Sequence, residues 1–476
     1  MIKHTRVLII GGGPAGSIAA SLLARENIEV TILEKSKFPR YHIGESLLNM
    51  NHIFQFIGLK EKMAQYGFVK KNEGFFRILH GVKPGYIDLA TSDESAYHVV
   101  RSEFDKLLLD HAREMGANIF EEMLVTHVSF KNDRPVSVDW ESAQSERGSI
   151  TFDYLIDATG LAGVLSTKYL NNRMYHETFA NIALGSYWDN YKDYIDDEGS
   201  SHQGAFAMEA LINGAGWSWA IPLHNNTLSL GMVINQSFYT HLRNELVDND
   251  AIYNHLLSLC RDIHPRLSDS KQVDKVRVWR DYSYVARSFS GSHYRMIGDA
   301  AGFIDPLFSS GVHLAAIGAL SAAASICESI NGERLERDCA TFHDNCLRLA
   351  YTRFLLIVAS FYPQIQTQNA LVMPKVREKE LQSIFTYIQP IVSGKSDIQD
   401  CISSDEKLAT VIDGLKEISF AIYNIEGYDP VLKQKFKKLV ESVNSKFDYK
   451  QFMVDNQYIR LQQGNLGISM LDEIIA

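Results

Sequence analysis

Val7-Leu8-Ile9-Ile10-Gly11-Gly12-Gly13-Pro14-Ala15-Gly16 is an aliphatic run that ends in a cluster of glycines. Small residues continue to Ala24, and Val30-Thr31-Ile32-Leu33-Glu34 is a second apolar run closed by an acid. A short aliphatic run bounded by glycine reads as a buried strand, and the small-residue stretch as a helix packed closely on it. The spacing Gly11-x-Gly13-x-x-Gly16 then has a chemical meaning. Gly11 permits a tight turn, Gly13 lets the backbone approach a pyrophosphate, and Gly16 lets helix and strand touch. Pro14 and Ala15 open the helix, whose N-terminus stabilises negative charge, and Glu34 is placed to accept a ribose hydroxyl. The segment predicts a dinucleotide site.

The same architecture extends along the chain. Phe104, Leu107, Leu108, Ala112 and Met115 recur at helical spacing, and Ala117 to Phe120 resumes a strand, so a doubly wound sheet grows from the first unit. Residues 38–76 are too irregular for simple periodicity and read as a loop-rich excursion. From about Ala180 to Ile234 the pattern becomes alternating and aromatic, predicting an antiparallel sheet. After Asp299 come a glycine-rich turn and a long helix, and helical patterns dominate to the end. The expected fold is α/β: a Rossmann-like dinucleotide-binding domain from residues 1–175 and 275–330, an antiparallel β-sheet substrate domain at 176–274, and a mostly helical C-terminal region at 331–476.

Composition excludes several classes. Among 476 residues, 46% are hydrophobic and 22% charged, which are values of a folded globular protein. A net charge of −10 leaves little attraction for phosphate backbones, so nucleic acid is not an expected partner. Cys260, Cys327, Cys339, Cys346 and Cys401 are scattered without metal-like spacing, which predicts no metal site and a reducing compartment. Met1 to Arg6 lacks a secretory pattern, and Leu314–Cys327 and Phe354–Phe361 fall short of the roughly 20 residues that span a bilayer. A cytoplasmic protein without a transmembrane segment is expected.

Gly298-Asp299-Ala300-Ala301-Gly302-Phe303-Ile304-Asp305-Pro306 is a second nucleotide-type turn far downstream. With it the chain resembles the FAD-dependent monooxygenase and halogenase superfamily over about its first 320 residues. The resemblance implies FAD, with Asp299 and Gly302 at the flavin. It extends to Arg40, Glu45 and Ser46 in Pro39-Arg40-Tyr41-His42-Ile43-Gly44-Glu45-Ser46, to Arg101 before Phe104-Asp105, and to Asp157-Ala158-Thr159-Gly160.

Trp217-x-Trp219-x-Ile221-Pro222 looks like the signature of flavin-dependent halogenases. On a strand, residues two apart share a face, so both indoles can form one wall. On the residues alone they also fit two core tryptophans. As a wall, they would keep an organic substrate from the flavin and leave a small halide, chloride or bromide, as the nucleophile. In Asp305-Pro306-Leu307-Phe308-Ser309-Ser310-Gly311-Val312-His313 the resemblance puts halide-binding amides at Ser310 and Gly311, where N–H groups before a helix carry positive dipoles. The family's Phe-x-x-Lys pattern falls on Phe68-Val69-Lys70-Lys71 and assigns to Lys71 the delivery of hypohalous acid, with Lys70 as competitor. Phe308, in place of the glutamate of tryptophan-acting relatives, points to an electron-rich phenol or pyrrole, free or carrier-bound. The absence of a nicotinamide fingerprint points to a separate flavin reductase. Histidine as a residue type titrates near neutrality, which makes His42, His98, His202 and His313 candidates for a general base only in that weak sense, and structural roles suit each of them better. The rival readings are a flavin monooxygenase or epoxidase on the same fold, an isoprenoid reductase, and a nucleotide-binding module without turnover.

Overall fold

The computed structural model describes residues 2–81, 83–88, 96–366 and 457–470. The opening run forms the strand His4–Ile10 at the centre of an eight-stranded sheet. It pairs in parallel with Val30–Leu33 on one side and Arg147–Asp157 on the other, and Asn118–Phe120 and Tyr294–Met296 extend the parallel set. Every residue of Val30–Leu33 is buried, because helices cover both faces of such a sheet. Pro14–Arg25 is the first crossover helix, Arg101–Glu114 lies beside it, and Ser310–Asn331 packs against it. Gly11 sits at φ +105°, and a Cβ there would stand 2.3 Å from Ala158 O; a Cβ on Gly16 would stand 1.9 Å from Gly11 O. Only glycine lets turn and helix approach this closely.

The second sheet has nine strands, with Arg277–Ala286, Arg173–Asp189, Thr227–Asn235, Gly216–Pro222 and Phe206–Ala210 as antiparallel neighbours. It also recruits Glu73–Arg77 and Gly85–Asp88 from within residues 1–175, and Arg277–Ala286 and Gly302–Phe303 from within 275–330. The sheets therefore interleave in sequence more than the expected boundaries imply. Alternation along the strands divides the side chains between two cores. Ile182, Leu184, Leu228, Leu230 and Met232 face the helices Gln236–Glu245 and Asn249–Ser258. Ala183, Phe206, Met208, Trp217 and Trp219 face the main core.

Residues 38–76 contain more order than the irregular pattern suggests: helices Asn51–Ile57 and Lys60–Gln65, then Val69–Lys71 and Glu73–Arg77 as strands. Val69–Lys71 pairs antiparallel with Ala96–His98. Residues 45–47 join the other edge of Ala96–His98, through Leu47 N–H to Tyr97 O at 2.9 Å and Val99 N–H to Glu45 O at 2.8 Å. The result is a three-stranded ribbon, which short strands without long apolar alternation do not announce.

Ser310–Asn331, at 22 residues, is long and apolar enough to cross a membrane, which corrects the expectation that no segment reaches that length. Its most apolar stretch is 89% buried within the protein, so it is a core helix. In the C-terminal region Glu336–Gln366 is helical as expected. Gln457–Arg460 and Gly467–Met470 instead form a hairpin, fixed where Glu26 accepts the Gly464 and Leu466 amides and Glu328 accepts that of Ile468. Residues 367–456 and 471–476, for which helix was expected too, lie outside the described residues, and Cys401 with them. Replacing Gly16 by Ala forces a backbone clash that no rotamer relieves. The expected cost is about 2–3 kcal/mol of stability, read as a lower melting temperature of the FAD-free protein, together with weakened FAD binding in titration.

Candidate active site

The glycine turn delivers the N-terminus of Pro14–Arg25 without a side-chain cap and without an acid in its first turn. Its orphan N–H groups are therefore open to an anion. Arg40 adds positive charge there, since a Cβ on Gly13 would lie 3.2 Å from its Nη2. Glu34 closes the second strand and accepts the Gly12 amide at 2.7 Å and the Ser36 amide at 2.8 Å. An uncapped helix end, a glycine floor and a guanidinium above it are a donor set that fits the pyrophosphate of a dinucleotide.

Arg101 fixes the segment that follows. Its Nη1 donates to Ile43 O at 2.7 Å and Gly44 O at 3.2 Å, while Nε and Nη2 grip Asp105. Arg40 reaches the same carboxylate at 3.1 Å. Asp105, one helical turn after Arg101 and fully buried, thus ties together two of the expected cofactor residues. Asp299 lies near Arg101 and Arg173, yet burial raises its carboxyl to about 6. Gly302, three residues on, is covered by Tyr351 and the Tyr284 carbonyl.

Trp217 and Trp219 share one face, with ring centroids 6.2 Å apart. Trp219 requires glycine opposite, since a Cβ on Gly231 would meet its indole at 2.2 Å. Its Nε1 donates to Ser229 Oγ at 3.2 Å. Trp217 Nε1 donates to the Tyr362 hydroxyl at 3.1 Å, which donates to Asp305 at 2.6 Å. Burial raises the Asp305 carboxyl to about 6, and this carboxyl also accepts the Leu307 amide and the Asn181 side chain. The indole pair is thereby tied to the turn that leads into the long helix.

That turn ends at Ser309 in the left-handed region, φ 59° and ψ 26°, a strained position for a residue other than glycine. Helix Ser310–Asn331 starts there with no side-chain cap and no acid in its first turn. Ser310 is buried, while a Cβ on Gly311 would meet nothing within 4 Å. An uncapped helix start beside open space suits a small anion.

Lys71 approaches the same turn from the ribbon. It is 2% exposed; Nζ donates to Leu47 O at 3.1 Å and to Ser309 Oγ at 3.4 Å and lies 4.7 Å from the centre of the Phe206 ring. Burial lowers its amine to about 7. Lys70, the neighbour on the strand, faces solvent. Lys71 lines a narrow, partly open pocket of about 10 Å³ with Leu48, Phe76, Phe206, Phe308 and Ser309. Phe76 stacks on Phe308 at 5.7 Å and meets Phe206 edge-on at 5.4 Å, giving an aromatic box with one amine.

His98 and Ser46 are backbone partners, so their side chains share the ribbon face that carries Lys71. Both His98 ring nitrogens and Ser46 Oγ are buried without a hydrogen-bond partner among the described residues, and burial, aided by Lys71, keeps His98 neutral. Sequence reading did not single out Asp105, Phe76, Phe206 or Tyr362 as site residues. Asp105 could have been found as an i+4 partner of Arg101. Phe206 could not, because a parallel pairing with Glu73–Arg77 brings it in from more than 100 residues away.

Known proteins resemble this chain in sequence and fold. The FAD binding domain family matches residues 4–353. A flavin-dependent halogenase of Armillaria mellea is 40% identical over 440 residues, covering 87% of this chain and 82% of its own length. The sulochrin halogenase of Aspergillus terreus is 42% identical over 419 residues, covering 83% and 76%. Among solved structures, the myxobacterial chondrochloren halogenase superposes with a TM-score of 0.72 at 26% identity, covering 95% of this chain and 99% of its own. The chain belongs to the flavin-dependent halogenases, FAD-dependent oxidoreductases that take a halide as co-substrate.

Proposed function

We propose that this enzyme halogenates a phenol-type aromatic on the Phe308 side of Lys71, and that Lys71 hands the oxidant to the ring. The supporting observation is the position of Lys71: a buried amine between an aromatic pocket and the turn at Ser309. Gly11, Gly13, Pro14, Ala15, Gly16, Glu34, Arg40, Glu45, Ser46, Arg101, Asp299 and Gly302 are the residues proposed to hold FAD. When bound and reduced, FAD with dioxygen supplies the two-electron oxidation of halide, chloride or bromide, to hypohalous acid. The Ser310 and Gly311 amides hold the halide, and Trp217 and Trp219 keep the aromatic substrate on its own side.

Lys71 then receives a small neutral oxidant in a dry site. With an amine near 7, both its forms are populated at neutrality: the ammonium can hydrogen-bond the oxygen, and the free amine can carry the halogen. In either case a carbon–halogen bond replaces a ring carbon–hydrogen bond, and the oxygen leaves as water. Phe308 beside the lysine offers an apolar wall suited to a phenol ring rather than a charged amino acid. A separate flavin reductase supplies the reduced FAD, in keeping with a sequence that carries no nicotinamide fingerprint. The four cysteines among the described residues are free, which fits a reducing cytoplasm.

Lys71→Ala is expected to leave oxidation of reduced FAD intact while halogenated product falls at least about 100-fold, and Lys70→Ala to behave as wild type. Product mass spectrometry with added reductase checks both, and normal halogenation by Lys71→Ala would overturn the assignment. The low amine pKa also has a stability consequence. The unfolded chain binds a proton at Lys71 up to pH about 10.5 and the folded chain only up to about 7, so burial of this lysine is most costly below pH 7. Lys71→Met is therefore expected to stabilise the protein, on the order of 2 kcal/mol at pH 7 after loss of its hydrogen bonds. The gain should shrink between pH 7 and 10.5, as checked by denaturant unfolding across that range.

A further inference from the structure

Glu45 is a carboxyl that the halogen transfer above leaves without a chemical task. It is fully enclosed, yet it stands in a chain of hydrogen bonds that reaches the surface. The Tyr187 hydroxyl donates to Glu45 Oε1. With that proton committed, the Tyr41 hydroxyl, 3.3 Å away, is the donor to Tyr187. Tyr41 is 42% exposed. On the inner side, Ser229 Oγ lies 3.4 Å from Glu45 Oε2 and accepts from Trp219 Nε1. The chain therefore runs from solvent through Tyr41, Tyr187 and Glu45 to Ser229 and the indole wall.

The reaction needs such a route. One reduced FAD, one dioxygen, one halide and one proton give one oxidised FAD, one hypohalous acid and one water. The proton must reach the inner side of the indole wall, and a carboxyl relayed by hydroxyls can carry it. We propose that Tyr41, Tyr187 and Glu45 form the proton entry path for halide oxidation, with Glu45 as the inner station. The groups facing this path suit that task. Glu45 meets Arg101 and the Gly44 amide, which favour its anion, while burial favours its acid and prevails. Tyr41 carries the Arg277 guanidinium over its ring at 4.1 Å, and Arg277 pairs with Asp274. The inference rests on the flavin lying beside Glu45, as proposed above.

Its test does not depend on that placement. In the FAD-free protein, the infrared carbonyl band of protonated Glu45, populated by lowering the pH, is identified by its loss in Glu45→Gln. Transfer into D2O should shift that band quickly in wild type and at least about tenfold more slowly in Tyr187→Phe, which keeps the ring and removes the relay, with Tyr41→Phe between them. In the complete system with FAD, reductase and halide, Tyr187→Phe should keep wild-type FAD affinity while hypohalous acid formation falls about tenfold with a larger solvent isotope effect. Equal exchange in wild type and Tyr187→Phe, or no carboxyl band lost in Glu45→Gln, would overturn the path. Lys71→Ala should exchange like wild type, so failure of the lysine assignment and failure of the proton path are separate results.

Discussion

Side chains on a strand alternate between faces, and in this enzyme that rule acts on a ribbon only three strands wide. Residues 45–47, Ala96–His98 and Val69–Lys71 stand over the inner face of the second sheet. One side of the ribbon sends Glu45 towards Ser229 and Tyr187; the other sends Lys71 towards Phe206 and Ser309. A shift of one residue in its register would exchange the sides. It would expose Lys71 in place of Lys70 and abolish the separation of the acid from the amine.

Energetically, the site is assembled from groups that are costly to bury. Lys71 has a carbonyl, a hydroxyl and a ring face for company, and no carboxylate hydrogen-bonds it among the described residues. Such a cation is disfavoured relative to the free amine, which brings the amine within reach of neutral pH. Asp105 is the opposite case: equally buried, it is gripped by two guanidiniums and joins helix Arg101–Glu114 to residues 40–44. Removing either arginine leaves a buried charge short of a partner, which is far more damaging than losing a surface pair. Rigidity at the cofactor end and reactivity at the pocket end thus come from the same cost of desolvation, compensated in one place and left uncompensated in the other.

Much of this was legible in the sequence. The glycine turn, Glu34, the paired tryptophans and the turn at Phe308–Gly311 are local patterns, and each sits in the structure on the element that its spacing implied. The ribbon, the aromatic box and the Glu45 chain were not legible, because their members come from separate segments. Phe76, Phe206 and Phe308 meet only after the second sheet pairs Glu73–Arg77 with Phe206–Ala210.

By itself, the sequence determined the dinucleotide unit, the two-sheet plan and the family, because close backbone approach and strand periodicity are set by residues near one another in the chain. The tertiary structure decided which of two adjacent lysines is buried, where the indoles are anchored, and that a buried acid connects to a surface tyrosine. These are matters of desolvation and of hydrogen bonds between distant segments, and they have no value until the chain has closed around them.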